Sequence, residues 1–501
     1  MNYLSTRGSI KKADSAEAIR TGIAPDGGLY TPESIPSLSQ TEIQAMAGLS
    51  YQEIATKILA MYLTDYGQSD LQKMTAAAYT HPNKFSVPEV TPVVQLAAGQ
   101  YLLELFHGPT CAFKDLALQI LPYLMTKAGE IAGDNKEIII LVATSGDTGK
   151  AALEGFRDVP GTRIIVFFPE EGVSQIQKLQ MTTQEGKNTA VVAVKGNFDD
   201  AQSGVKGIFT DTTLIKKLAA QKMSFSSANS INWGRLAPQI VYYFYGYLDM
   251  CRRGAIKPGG QFNIAVPTGN FGNILAGYFA KEMGLPISRM VCASNSNNVL
   301  TDFIKTGVYD RNRSFYTTIS PSMDILISSN LERLLFYLSG KDSGRVSQLM
   351  EDLKTKGGYR VDRETATQIG KFFYGGFADE RTTMETIQRV YREDHYVMDP
   401  HTAVGKAVSE GYRQETGDDL PVLLVATASP FKFNRSVVQA ILGETAVRDK
   451  SEFELLAKLT EISGREVPAG LHGLDRKEIR HRTVCSSEAM PQVVKEILKL
   501  G

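Results

Sequence analysis

The feature that most constrains the fold is a short, almost uninterrupted apolar run at residues 137–143, which reads EIIILVA. A run of this length without polar alternation is typical of a strand that is buried on both faces of a sheet. The polar loop TSGDTG follows it, and residues 150–156 then have the composition of a helix. The same order recurs along the chain, and the predicted strands are 137–143, 163–168, 189–194, 263–266, 290–293 and 421–426.

The repeated alternation of strands and helices predicts an α/β protein with open, mostly parallel sheets and helices on both faces. A chain of 501 residues is too long for one ordinary core and should contain two or three domains. We expect a mixed N-terminal domain at 1–90, a central α/β region at 91–440 and a helical tail at 441–501 that packs on it. The central region should have two subdomains, the smaller around 105–190. Ser50 and Glu53 have the spacing of a capping box at a helix start.

The composition excludes several classes of partner. The chain has 54 lysines and arginines and 54 aspartates and glutamates, so no global field favours nucleic acid or an anionic membrane. No apolar run is long enough to span a bilayer, and the first residues lack the apolar core of a signal peptide. The four cysteines and six histidines are scattered without metal-binding spacing. We therefore expect a cytoplasmic protein that binds no metal, nucleic acid or membrane.

Lys114 is the first candidate functional residue. It ends the stretch HGPTCAFK and opens an apolar segment that is typical of a buried helix. Apolar surroundings remove solvation from the charged amine, which lowers the pKa of a lysine and makes it a better nucleophile. Such a lysine is a candidate for Schiff-base formation with an aldehyde cofactor. The alternative is a lysine at a helix end that extends its amine to solvent.

A glycine-containing loop after the predicted strand 263–266 is a candidate phosphate site. Its glycines allow the backbone to approach a phosphate closely, and the helix behind it offers free amides and the positive end of its dipole. The loop is neither a Walker A motif nor a full GxGxxG, and an ordinary strand-to-helix turn is the alternative. Its residues are Gly269, Asn270, Phe271, Gly272 and Asn273.

Two further loops follow predicted strands, and ligands of open parallel sheets bind at that edge. Residues 144–148 offer hydroxyls and amides at a helix start, where a substrate carboxylate would fit. Thr427 and Ser429 place hydroxyls after the strand 421–426, where one could hydrogen-bond a ring nitrogen. For both loops the alternative is helix capping.

A fourth group of polar residues lies at 229–235, which reads NSINWGR. Neutral donors such as Asn229 and Ser230 beside the fork of Arg235 suit a phosphorylated small molecule. Arg235 could equally be a structural ion-pair partner.

These motifs, in this order, resemble those of the fold-type II pyridoxal-phosphate enzymes, and among them the threonine synthase family. The segment from His107 to Asp115 (HGPTCAFKD) resembles the family's cofactor-lysine signature. The opening YLSTRG, the stretch DGGLY, and the segments 320–325 and 399–405 are also similar. Cys111 is a departure, since the family commonly has a larger aliphatic residue there. The resemblance implies two open, mostly parallel sheets.

The resemblance also implies a role for each motif. Lys114 would bind pyridoxal 5'-phosphate covalently, and the loop from Gly269 to Asn273 would hold the cofactor phosphate. Thr427 would hydrogen-bond the pyridine nitrogen. The substrate carboxylate or the O3′ side of the cofactor would be lined by Ser145, Asp147 and Thr148. The substrate phosphate would be contacted by Asn229, Ser230 and Arg235.

The activity implied by the resemblance is conversion of O-phospho-L-homoserine and water to L-threonine and phosphate, the last step of threonine biosynthesis. We expect a monomer or a weak homodimer. One alternative is a related phospho-lyase that yields 2-oxobutyrate, ammonia and phosphate. Another is a catalytically inactive relative that serves as a binding protein, which the intact Lys114 and loops disfavour.

Overall fold

The computed structural model describes residues 1–9, 12–97, 99–134, 136–144, 146–171 and 173–500. The strands are β1 (Tyr3–Ser5), β2 (Tyr30–Pro32), β3 (Val93–Ala97), β4 (Gln100–Glu104), β5 (Glu137–Ala143), β6 (Thr162–Pro169), β7 (Thr189–Lys195), β8 (Met223–Ser226), β9 (Phe262–Pro267), β10 (Ile287–Ser294), β11 (Val308–Asp310), β12 (Gly358–Arg360), β13 (Phe373–Phe377), β14 (Val422–Ala426) and β15 (Thr483–Ser486).

The helices are α1 (Ser15–Thr21), α2 (Gln40–Gln44), α3 (Tyr51–Tyr62), α4 (Gln68–Ala78), α5 (Asp115–Leu118), α6 (Leu121–Ile131), α7 (Asp147–Phe156), α8 (Gln175–Thr182), α9 (Phe198–Thr210), α10 (Thr212–Ala220), α11 (Trp233–Arg252), α12 (Gly272–Glu282), α13 (Val299–Thr306), α14 (Leu331–Leu338), α15 (Ser343–Lys356), α16 (Arg363–Phe372), α17 (Glu380–Asp394), α18 (Pro400–Thr416), α19 (Asn434–Leu442), α20 (Glu452–Ser463) and α21 (Met490–Leu498). Single 3-10 turns cover Pro321–Met323, Pro430–Phe433, Glu444–Ala446 and Leu474–Arg476.

The smaller sheet has five parallel strands in the order β15-β7-β6-β5-β8. The side chains of β5 alternate between two cores, with Ile138 and Ile140 in one and Ile139 and Leu141 in the other. Helix α7 covers the first of these faces and α9 the second. Because both faces are buried, every position along β5 favours an apolar residue, which explains the uninterrupted run in the sequence.

The larger sheet has six strands in the order β13-β10-β9-β14-β4-β3. All neighbouring strands are parallel except the hairpin of β3 and β4. Two open, mostly parallel sheets with helices on both faces confirm the predicted fold class.

The C-terminal tail corrects one expectation. Residues 441–501 were expected to be helical, but they also contain β15, which pairs in parallel with β7. The strand has only four residues and two of them are exposed, so no apolar run marks it in the sequence. It covers the edge of β7, which would otherwise present unpaired backbone groups.

The smaller sheet also extends past the limits of 105–190 expected for the smaller subdomain, since β8 ends at Ser226. The division into domains at residues 90 and 440 stays a prediction.

The N-terminal segment packs directly on the α/β region. The indole of Trp233 at the start of α11 contacts the rings of Tyr3 and Tyr62, with centroids 5.5 and 5.4 Å away. The predicted capping box at α3 is confirmed, since the Glu53 carboxylate accepts from the Ser50 amide at 2.8 Å and the Ser50 hydroxyl accepts from the Glu53 amide at 3.3 Å. Of the helices in the described ranges, none has the length and hydropathy needed to cross a bilayer.

Close packing of α7 on α5 gives a test of the fold next to Lys114. A Cβ on Gly155 would lie 2.0 Å from the Leu118 carbonyl oxygen. We expect Gly155→Ala to destabilise the protein by about 2–3 kcal/mol, because a backbone clash must be relieved by moving a helix. Urea-induced unfolding followed by circular dichroism measures this. The control is Gly411→Ala in α18, where a Cβ meets open space and should stabilise by about 0.5–1 kcal/mol.

Candidate active site

Lys114 immediately precedes α5, at the end of a segment that is bonded to the loop after β14. The Phe113 amide donates to the Thr427 carbonyl at 2.8 Å, and the Ser429 amide donates to the Cys111 carbonyl at 3.0 Å. Cys111 adopts a left-handed backbone conformation, with φ of 60°. These backbone hydrogen bonds offset the energetic cost of that conformation and fix the backbone position of Lys114.

Lys114 meets two buried charged side chains, Asp147 and Lys432. The Asp147 carboxylate, at the first residue of α7, lies 3.5 Å from Lys114 Nζ and 2.6 Å from Lys432 Nζ. Lys432 comes from the 3-10 turn Pro430–Phe433 and also donates to the Thr110 carbonyl at 3.0 Å. Gln177 Nε2 donates to the same carboxylate at 3.0 Å. The loops after β4, β5 and β14 therefore meet in one ionic cluster.

The environment sets the charge of these groups. Burial lowers the pKa of Lys114, and the attraction of Asp147 only partly opposes it. Burial would raise the pKa of Asp147, but Lys432 and Lys114 hold it well below its usual range. The Lys114 side chain is only 11% exposed, so the alternative of an amine extended to solvent is wrong.

Ser322 connects this cluster to a buried histidine. Lys114 Nζ donates to the Ser322 hydroxyl at 3.2 Å, and the Ser322 amide donates to His401 Nε2 at 3.2 Å. Because Nε2 accepts, the ring proton sits on Nδ1, 2.8 Å from Asp399. Asp399 caps α18 and fixes the ring in this tautomer.

The predicted phosphate loop lies against the Ser322 turn. A Cβ on Gly269 would be 2.6 Å from the Ser322 carbonyl oxygen, so only glycine allows this approach. Phe271 has φ of 61° and is the last residue before α12, which begins within the loop at Gly272. The first amides of α12 therefore face out of the helix end as free donors.

Asn273 completes the loop with a buried donor that has no partner. Its Oδ1 accepts from the hydroxyls of Tyr242 and Tyr243, both at 2.6 Å. Its Nδ2 has no hydrogen-bond partner among the described residues, although the side chain is buried. A buried amide donor without a partner is costly, and a phosphate oxygen at the loop would satisfy it.

Arg235 is a buried cation without a carboxylate partner among the described residues. Its Nη1 donates to the Ala228 carbonyl, while its Nε has no partner there. Burial lowers the pKa of Arg235 to about 10, which leaves the guanidinium charged at neutral pH. It is near enough to Lys114 to lower the pKa of that amine. The predicted neighbour Asn229 is exposed and Ser230 is half-buried in the preceding loop.

The remaining predicted residues divide between ligand and capping positions. Thr427 is buried, and its hydroxyl has no hydrogen-bond partner in the part of the chain that the structure describes. The Ser429 hydroxyl accepts from the Phe431 amide, as the capping alternative expected. Thr148 is half-buried in the first turn of α7. Ser145 lies outside the described residues.

Sequence reasoning missed the roles of Lys432, Ser322 and His401. Each lies in a motif that carried the family resemblance, but the contacts that define its role come from residues far away in the chain. Lys432 pairs with Asp147, which lies 285 positions earlier in the chain. Only the fold brings such residues together.

A separate cavity of about 500 Å³ lies behind the segment that leads to Lys114. Pro109, Cys111 and Pro430 belong to its wall, together with Lys84 and residues of the C-terminal tail. Neither Lys114, Asp147 nor the phosphate loop lines it. The cavity is therefore separate from the buried cluster around Lys114, and we place the chemistry at the cluster.

Comparison with known proteins accounts for nearly the whole chain. Three family models match it: Threonine synthase N terminus at residues 2–79, Pyridoxal-phosphate dependent enzyme at 87–428, and Threonine synthase, C-terminal at 402–497. A threonine synthase of Pseudomonas aeruginosa is 39% identical over 447 residues, which cover 89% of this chain and 91% of that protein. The chain belongs to the threonine synthase family.

Two further relatives extend the comparison. The crystal structure of a PLP-bound threonine synthase from Brucella melitensis has 37% identity and a TM-score of 0.87, and the match covers 99% of each chain. A human protein named Threonine synthase-like 1 is 40% identical over 436 residues, which cover 85% of this chain and 58% of that protein. The family relation thus holds for sequence and fold together.

Membership of the threonine synthase family makes the chain a pyridoxal-phosphate-dependent enzyme, and its residues fit that cofactor. The loop before α12 offers free amides, and the Asn273 amide lacks a partner. The free Thr427 hydroxyl suits a ring nitrogen. Lys114 has a lowered pKa, as a lysine that bonds to an aldehyde requires.

The buried ion pair predicts a large effect of Asp147→Asn. We expect a loss of about 3–5 kcal/mol at neutral pH, because Lys432 then remains buried without a counter-ion. The pKa of Asp147 is depressed in the folded protein, so its stabilisation is present above about pH 4 and is lost as the pH falls further. The difference between the two proteins should therefore shrink at pH 3. Urea unfolding at pH 7 and pH 3 measures it.

The control for this prediction is Asp352→Asn, which removes an ion pair with Lys356 on the surface of α15. It should leave the unfolding midpoint nearly unchanged at both pH values. An Asp147→Asn protein as stable as the wild type at pH 7 would contradict the ion-pair argument.

Proposed function

We propose that the protein catalyses the pyridoxal-phosphate-dependent conversion of O-phospho-L-homoserine and water to L-threonine and phosphate. In this conversion phosphate leaves from the γ-carbon and water adds at the β-carbon. The observation that carries the proposal is a buried lysine of lowered pKa beside two separate anion-binding positions, the α12 start and Arg235. Two positions are needed because cofactor and substrate each bring a phosphate.

Pyridoxal phosphate supplies the electron sink for carbanions formed on the substrate. The first amides of α12 and Asn273 Nδ2 would hold its phosphate, and the Thr427 hydroxyl would hydrogen-bond its ring nitrogen without protonating it. Lys114 would hold the aldehyde carbon when no substrate is bound.

The same lysine serves as the general base. Once the substrate amine has taken its place, the Lys114 amine is free, and its lowered pKa favours the uncharged form that can accept a proton. It would take the proton from the α-carbon, return it to the conjugated system of the bound substrate, and then, as a free amine again, take one from the β-carbon, which can pass to the phosphate that leaves. Ser322, 3.2 Å from Lys114 Nζ, orients the amine between these positions.

Arg235, with Asn229 and Ser230, would bind the substrate phosphate. The guanidinium has no competing carboxylate among the described residues, so a phosphate is its natural counter-ion. Ser145, Asp147 and Thr148 would border the substrate carboxylate or the O3′ side of the cofactor. Of these, Asp147 already forms an ion pair with Lys432. Because this pair has no net charge, we assign Asp147 to the O3′ side of the cofactor and not to the substrate carboxylate.

We also propose a cytoplasmic protein that acts as a monomer or weak homodimer without a nucleic-acid partner. The balanced charge of 54 basic and 54 acidic residues supports the absence of a nucleic-acid partner. The four cysteines are free in the structure, which is typical of a reducing compartment.

Product analysis tests the function. Protein and pyridoxal phosphate are incubated with O-phospho-L-homoserine, and phosphate, threonine and 2-oxobutyrate are quantified. We expect equal amounts of phosphate and threonine, because water addition follows the loss of phosphate. Phosphate with 2-oxobutyrate and ammonia would show a phospho-lyase instead. Release of no phosphate would refute both assignments.

Replacing the lysine tests its role. Lys114→Ala should keep the fold but lose the lysine-linked cofactor absorbance and at least about 10³-fold of turnover, because both the covalent attachment and the base are removed. The matched control is Lys84→Ala, since burial also lowers the pKa of Lys84, to about 8, outside this site. The control should retain absorbance and turnover. Wild-type turnover in Lys114→Ala would exclude Lys114 from the mechanism.

A further inference from the structure

Lys432 is the most deeply buried cation of the cluster, and its position is fixed. Its side chain has no exposed surface. Its ammonium lies 2.6 Å from Asp147 and donates to the Thr110 carbonyl at 3.0 Å. Both partners belong to segments that border Lys114, so Lys432 is held beside the active lysine and away from solvent.

The two oxygens of Asp147 are not shared equally between the two lysines. Oδ1 accepts from Lys432 at 2.6 Å and from Gln177 at 3.0 Å. Oδ2 faces the Ser322 hydroxyl at 3.4 Å and Lys114 at 3.5 Å, which is longer than a charge-assisted hydrogen bond. Lys432 therefore takes the strong contact and Lys114 the weak one.

The charged groups that act most strongly on Lys114 are the Asp147 carboxylate and two cations. Lys432 reaches Lys114 from the turn after β14, and Arg235 from α11. The buried Asp115 carboxylate follows Lys114 in the chain and accepts from the Thr110 amide and hydroxyl, at 2.8 and 2.7 Å. Ser322 is neutral, and Asp399 and His401 lie behind the Ser322 backbone. Burial disfavours the charged form of Lys114, and the charged form therefore depends on how much of the Asp147 carboxylate is left to stabilise it.

We propose that Lys432 is a positioning residue that draws Asp147 away from Lys114 and so leaves the Lys114 amine uncharged for bonding to an aldehyde. This inference rests on the proposed role of Lys114. Without Lys432, Asp147 has Lys114 as its sole counter-ion in the cluster, and the two would pair directly. The Lys114 pKa would then rise for two reasons, the loss of a repelling cation and the gain of a full ion pair.

The test measures the charge of Lys114 without using turnover. Full-length protein freed of cofactor is trace-labelled with acetic anhydride over a range of pH, and acetylation of each lysine is quantified by peptide mass spectrometry. In Lys432→Met the midpoint of Lys114 labelling should move up by about one pH unit or more, so that labelling at pH 7 falls about tenfold. Lys84 serves as the internal reference, and its midpoint should not move.

Matched variants separate charge from shape. Lys432→Arg keeps the cation and should keep the wild-type midpoint. Lys432→Gln removes the charge but keeps a donor for Thr110, and should show the same rise as Lys432→Met if the latter does not fold. Adding Asp147→Asn to Lys432→Met removes the carboxylate as well, and the midpoint should return to the wild-type value or below.

The inference is overturned if Lys432→Met or Lys432→Gln keeps the wild-type midpoint, or if the double variant stays as high as the single one. Failure of the proposed function looks different. In that case Lys114→Ala would retain the lysine-linked absorbance, whatever the midpoints in the Lys432 variants.

Discussion

The buried contact between Asp147 and Lys432 is the interaction on which the site depends. It joins the start of α7, behind the smaller sheet, to the turn after β14 of the larger sheet. The second carboxylate oxygen of Asp147 faces Lys114 and Ser322, which lie on two further loops. Two charges without access to water must be paired, so the position of one sheet relative to the other is tied to the ionisation of the site.

Contacts from other parts of the chain explain how a helix as short as α5 keeps its position directly after Lys114. Helix α5 has four residues and is followed by a second helix, α6, that begins at Leu121. Its position does not come from its own helical stability, because four residues make little contribution. It comes from the bonds between residues 111–113 and the loop after β14, and from α7, which packs so closely that Gly155 has no room for a side chain.

The sequence allowed prediction wherever one local signal was enough. The strand β5 has the bounds predicted from its apolar run, and the capping box of α3 is confirmed. The phosphate loop follows the predicted β9, and Lys114 is buried as an apolar helix start requires. The short β15 has no such signal, because an edge strand with exposed positions needs few apolar residues. Lys432 and His401 act through partners that no spacing rule connects to them.

The strand order of the larger sheet has a consequence for how the chain is made. β14 lies between β4 and β9, so the central position of the sheet is filled by residues 422–426, long after its neighbours have left the ribosome. The smaller sheet receives its edge strand β15 later still. β4 and β9 each lack one native neighbour until that insertion occurs, and contacts of such long range form slowly. The nascent enzyme must therefore keep an open slot in its main sheet while residues 268–421 are made, and stop-codon truncations upstream of β14 remove the middle of the sheet and not merely an end.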